Sequence, residues 1–211
     1  MINFFTYLQF VILFFTSLQI HSQNQKNLRG ISLGESIESV SKKGYTQIGY
    51  EEVDDTKLYR FNSKDKNQIS VTLDNNKVVY IELDNMNPAS KSTGFLDFKF
   101  SDTKLIDITE RFDSKGFIYE NRNAGKLNDK FYTITCYKIK NTDAILALFC
   151  VINLDNLKNI EDRSELQTKL ELFAVVLAKE EYLDSIWGEK KNYPKDAKPF
   201  DRNIEVYSNT L

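Results

Sequence analysis

The sequence predicts an α+β chain: two pseudo-repeated units, each a short helix followed by an antiparallel sheet, with a longer C-terminal helix packed on the sheet. Three observations predict it. A short helical segment closing at a glycine-aromatic pair occurs at Gly44-Tyr45 and again at Gly116-Phe117. Apolar residues alternate with polar ones after each pair, the period of a half-buried strand. Leu166, Leu170, Phe173, Leu177, Leu183 and Trp187 then recur at helix-like spacings.

The first 22 residues carry no Lys, Arg, Asp or Glu, and residues 2–20 hold an uninterrupted apolar run from Phe10 to Phe15. That is the length of a secretory signal with its flanks, while Asn3, Thr6 and Gln9 weaken it as a membrane span. Cleavage after Ser22 is expected, so residues 1–22 are read as a signal peptide and the mature chain as secreted or periplasmic. Cleavage removes His21, the sole histidine. The mature chain then lacks the imidazole that Ser-His-Asp and Cys-His catalysis and His-ligated metal sites require, and two cysteines alone cannot complete a zinc site. A net charge of −2 and no basic run longer than two residues exclude the phosphate-neutralising footprint of a nucleic-acid binder. No glycine-rich phosphate loop or Cys-x-x-Cys occurs, and no cofactor is expected.

The first unit, 23–95, opens with Leu33-Gly34-Glu35-Ser36 leading into a short helix around Val40. Ile69, Val71 and Leu73 then alternate with Ser70 and Thr72, and Val79, Ile81 and Leu83 with Tyr80 and Glu82. A two-residue Asn75-Asn76 loop would set Leu73 beside Val78 and Ile69 beside Glu82, so an odd loop, Asn75-Asn76-Lys77, is expected to align the apolar rows. The second unit, 96–158, repeats the pattern with Leu105, Ile108 and Phe112 at helical spacing and strands at 131–139 and 144–154. The second of these strands is apolar on both faces and is expected to be covered on both. The remainder, 159–211, holds the long helix predicted over 161–187, ended by Gly188, and a tail with a short strand candidate at 204–207.

Cys136 and Cys150 fall in these two adjacent strands. An odd loop such as Thr142-Asp143-Ala144 would place them opposite each other as a disulfide; an even one would send them to opposite faces as buried thiols. The expectation is the bridge, strained by the cross-strand separation.

The Leu33-Gly34-x-Ser36 turn, the short helix with Val40, the Gly44 stop and the following strands, echoed from Phe98, resemble the tandem units of β-lactamase-inhibitor-protein-like domains and the related SmpA/OmlA-type envelope modules. The resemblance spans roughly residues 30–158. It implies a curved sheet that binds another protein, or a role in outer-membrane assembly.

The function expected is an exported, non-catalytic protein- or peptide-binding module of the cell envelope or periplasm. Its candidate binding residues are Arg60, Tyr80, Glu82 and Tyr137 on the polar sheet face, because Tyr and Arg are enriched at binding hot spots. An envelope structural or assembly factor is the first alternative. A carboxylate-dependent hydrolase is the second, drawing on Glu51-Glu52, Asp54-Asp55 or Glu180-Glu181, although neighbouring residues do not face each other as an acid–base pair. Oxygen-rich Asp74-Asn75-Asn76 and Asp84-Asn85 lack EF-hand spacing and read as turns.

Overall fold

The computed structural model describes residues 27–192 apart from 54, 113–115 and 161. The signal peptide, Asp54 and the strand candidate at 204–207 lie outside the described residues.

After a two-stranded ribbon, β1 (Asn27–Leu28) and β2 (Ile31–Ser32), comes helix α1 (Ile37–Ser41), with Ser36 at its N-cap position and Gly44 in the left-handed region just beyond its end. An antiparallel meander follows: β3 (Thr46–Val53), β4 (Thr56–Asn62), β5 (Gln68–Asp74) and β6 (Lys77–Asp84). Helix α2 (Leu105–Arg111) leads to β7 (Phe117–Tyr119), β8 (Ala124–Leu127), β9 (Lys130–Lys138) and β10 (Ala144–Asn153). Two short helices, α3 (Leu154–Leu157) and α4 (Arg163–Lys169), precede β11 (Glu171–Lys179), α5 (Glu180–Trp187) and β12 (Lys190–Asn192).

All but the ribbon form one ten-stranded sheet in the order β12-β7-β9-β10-β11-β6-β5-β4-β3, with β8 also on β9. This corrects the predicted fold class. The chain builds one continuous antiparallel sheet rather than two helix-plus-sheet units, and the long C-terminal helix does not exist. In its place β11 pairs with β10 on one side and β6 on the other. The reason lies in the run Leu172-Phe173-Ala174-Val175-Val176-Leu177-Ala178, which is apolar at every position and carries two adjacent β-branched residues. Such a run satisfies helical spacing by accident, and it suits a strand buried on both faces. Helix survives only at its flanks: α4, whose Asp162 cap accepts from the Glu165 amide at 2.9 Å, and α5, ended by Gly188 at φ 81°.

Each face of the sheet carries its own core. The first face packs Phe61, Ile69, Val71, Ile81, Leu83, Leu146, Leu148, Val175 and Leu177 beneath Leu28, Ile31, Val40, Phe100, Leu105, Ile108 and Leu166. The second gathers Ile134, Cys136, Ile145, Ala147, Phe149, Ala174, Val176 and Ala178 around Leu183 and Trp187 of α5 and Tyr119 of β7.

The turns set these faces. Asn75 and Asn76 both adopt positive φ, 49° and 58°, closing a two-residue hairpin with Asp74 opposite Lys77. The expected three-residue loop is therefore absent. Leu73 does sit beside Val78, but a bulge between Thr72 and Leu73 shifts the register so that Ile69 meets Leu83, not Glu82. At the second hairpin the even loop wins: Lys138 pairs with Ile145, Cys136 with Ala147 and Cys150 with Thr133. Cys136 lies in the second-face core and Cys150 in the first. The expected disulfide cannot form across the sheet, and both cysteines are buried free thiols whose ionisation burial opposes.

Two outcomes test this architecture. A thiol reagent should leave the native chain unmodified and titrate both cysteines only in denaturant; a native mass two daltons below the fully reduced value would contradict the register. Leu177→Ala, at the heart of β11 and fully buried, should lower stability in urea by about 2–5 kcal/mol, the cost of a cavity in a packed core; a loss under about 1 kcal/mol would contradict its place there.

Candidate functional site

On the second face, α5 covers the strands β11, β10 and β9, while the half formed by β4, β5 and β6 carries polar residues. Register aligns them in rows. Arg60, Ser70 and Glu82 continue into Val176, Ala147 and Cys136, and Gln68 and Asp84 continue into Ala174 and Phe149. Polar and apolar halves thus meet at β6 and β11.

Glu82 and Asp84, two residues apart on β6, share this face by strand alternation. Glu82 accepts a hydrogen bond from the Tyr80 hydroxyl at 2.7 Å. The Tyr80 ring meets Tyr182 and Trp187 edge-on, with centroids 6.0 and 6.4 Å away. Beyond the short side chain of Ala174, about 10 Å from β6 by strand spacing, Phe149 stands on β10. Trp187 packs edge-on against it at 6.2 Å. Over both rings lies the Arg122 guanidinium, its central carbon 5.7 Å from the Phe149 centroid and 5.4 Å from that of Trp187. The loop bearing it is pinned to the end of α5 and the residues beyond by backbone bonds from Glu120 to Glu189 and from Asn121 to Trp187.

Neither Glu82 nor Asp84 makes an ion pair among the described residues, and the buried Arg122 Nε has no acceptor there. Elsewhere, partly buried acids hold cations: Asp65 takes Arg29 at 2.7 Å, and Glu180 takes Lys138 at 2.6 Å and Lys190 at 2.8 Å. Burial, reinforced by the neighbouring Glu82 and opposed by Arg122, pushes the Asp84 carboxyl up to about 8. A carboxyl so placed is a hydrogen-bond donor at neutral pH until a cation draws it into the charged form.

Of the residues read from the sequence, Glu82 lies in this constellation and Arg60 shares its row. Arg60 is committed to Glu51, through bonds of 2.6 and 3.2 Å. The two tyrosines are not solvent-facing contacts. Tyr80 is 8% exposed, and Tyr137, 5% exposed, packs into the first-face core against Phe112, its centroid 4.2 Å away. They occupy opposite faces because Tyr137 alternates in phase with the apolar first-face residues of β9 and β10. The acidic doublets do not converge either. Glu51 holds Arg60, Glu52 accepts from the Tyr50 hydroxyl, and Glu180 holds two lysines. Sequence reading missed Asp84, Arg122 and Trp187. Only Asp84 left a signal, since a residue two along from Glu82 in a strand must share its face.

No protein-family model matches the chain, and no curated protein does. Solved structures similar to it include the following two. An extracellular protein containing a SCP domain from Bacillus anthracis is 14% identical with a TM-score of 0.43, over 72% of this chain and 45% of that one. A cysteine-rich secretory protein from Staphylococcus aureus is 15% identical with a TM-score of 0.43, over 78% of this chain and 53% of that one. The chain therefore spans about half the length of each. The single continuous sheet, in place of two separate helix-plus-sheet units, overturns the resemblance to β-lactamase-inhibitor-protein-like and SmpA/OmlA-type modules. Among the described residues no helix is long and apolar enough to cross a membrane.

The raised Asp84 pKa fixes the sign of a pH effect. The unfolded carboxyl ionises near 3.8 and the folded one near 8, so between these values the native state binds the extra proton and stability falls as pH rises. Asp84→Asn removes this term. Its urea midpoint relative to wild type should climb from pH 4 to pH 8 and then level off; a constant difference would show that Asp84 ionises normally.

Proposed function

We propose that the chain is an exported binding module, and that the polar half of the second face takes a protein or peptide segment presenting a basic side chain. The observation that carries this is the pair Glu82 and Asp84, held on a central strand with no ion pair among the described residues, Arg122 acting on Asp84 through its field alone, where Asp65 and Glu180 each hold a cation directly. A ligand ammonium or guanidinium placed between them would compensate the burial of Asp84 and draw it into the charged form. Ser70 and Gln68 flank that position on the adjoining strand β5, with Arg60 beyond Ser70 on β4. Export rests on the charge-free apolar segment at the N-terminus.

One further observation favours a second reading, carboxylate-dependent hydrolysis: the two acids lie side by side with Asp84 protonated at neutral pH, the division of roles that acid–base catalysis uses.

The mature chain, residues 23–211, immobilised beside its Glu82→Gln/Asp84→Asn variant and exposed to envelope and secreted extracts, separates these readings. A stoichiometric partner retained by wild type and lost by the variant is the expected result. A partner held equally by both would place the interface elsewhere. Turnover of peptide or glycoside substrates, abolished by Glu82→Gln alone, would establish the hydrolase in its stead.

A further inference from the structure

The sheet ends differently at its two sides. At one side, among the described residues, stands β12, three residues long; at the other stands β3, eight residues long and paired with β4 on its inner side alone. Every residue of β3 is exposed except the half-buried Gly49, and Ile48, Tyr50 and Val53 are 50%, 45% and 63% exposed. A long edge with apolar side chains in water is a template for another strand, and natural sheets guard such edges with Lys, Pro, unpaired charge or a bulge. β3 contains neither Lys nor Pro. Its two acids are engaged within the chain: Glu51 bonds Arg60 at 2.6 and 3.2 Å, and Glu52 accepts from the Tyr50 hydroxyl with Lys57 3.9 Å away. One guard exists, a bulge at Ile48, and it leaves the run 49–53 in regular register with β4.

The chemistry of that run selects its partner. Tyr50 lies on the first face as the outermost of a group of rings, its centroid 4.8 Å from Tyr59, which stacks on Phe61 at 6.4 Å. Aromatic pairs are favourable across strands. A second copy supplies the next ring when a two-fold axis perpendicular to the sheet passes beside Tyr50. Tyr50 then meets Tyr50 of the second copy, and Gly49 lies opposite its Glu51. Arg60 pairs with Gly49 in the register and packs over it, 3.6 Å from where a β-carbon would stand. No side chain therefore separates Arg60 from the incoming carboxylate, and opposite charges meet across the joint. The other axes in the run are worse: through Glu51 or Glu52 a carboxylate opposes itself, through Val53 Glu51 opposes Asp55, and through Gly49 the bulged Ile48 falls beside the centre. We propose that two copies of the chain join β3 to β3, antiparallel about Tyr50, so that the sheet runs from one copy into the next as an isologous dimer.

This edge is independent of the acidic site on the second face. One strand pair makes an interface at the small end of the range, so a Kd of about 10–100 µM is expected. Sedimentation equilibrium of the mature chain, residues 23–211, should show monomer and dimer exchanging over that range. Tyr50→Lys, at an exposed position, sets two ammonium groups face to face on the axis; it should weaken the dimer at least about tenfold and leave the circular dichroism spectrum unchanged. Amide exchange at 49–51 should slow with rising concentration in wild type and not in the variant. A chain monomeric up to about 500 µM would overturn the proposal and leave the edge to a strand of another protein. A dimer that Tyr50→Lys leaves intact would overturn it by placing the interface elsewhere.

Discussion

The pairing of β11 with β6 is the constraint on which the rest depends. Val175 faces Leu83 and Leu177 faces Ile81 on one side of the joint, and on the other Ala174 and Val176 lie beside Asp84 and Glu82. The strand order reads outward from this seam as β6-β5-β4-β3 and as β11-β10-β9-β7. Without the seam each half would show a bare, apolar strand edge to water, and neither core would close. The seam also makes the candidate site, because on the second face it sets Glu82 and Asp84 of β6 against the apolar Val176 and Ala174 of β11 and leaves the two acids at the boundary.

Much of the first half was legible. The Gly34-to-Gly44 segment forms the short helix that its cap and glycine stop imply, and the strands at 69–73 and 79–83 lie where alternation puts them. The strands at 131–139 and 144–154 agree with β9 and β10 to within a residue at each end. What failed was parity and period. One bulge beside Leu73 makes a two-residue turn compatible with aligned apolar rows, and bulges are set by packing across strands that a single sequence does not display. Residues 171–179 failed because uniform hydrophobicity has no period to read. Only its neighbours, β6 at a great distance along the chain and β10, decide that it is a strand.

The site was legible in part for the same reason. Glu82 followed from alternation, whereas Tyr137 was assigned to a polar face that the register turns inward. Arg122 lies in an Asn-Arg-Asn loop with no pattern of its own, and its place over Trp187 depends on backbone bonds between segments far apart in sequence. Electrostatics, more than residue type, distinguishes the constellation: the same kinds of charge occur over the whole surface, but the partly buried Asp65 and Glu180 hold cations directly where Glu82 and Asp84 hold none.

The opposite placement of Cys136 and Cys150 has a consequence for biogenesis. A chain whose two thiols are kept apart by its own register has no native bridge to acquire and none to shuffle into error. Its maturation needs neither an oxidase nor an isomerase, and the same structure is reached whichever side of a membrane it folds on. Its durability then rests entirely on the two cores that the sheet separates, and a change in the redox state of its surroundings leaves it unaltered.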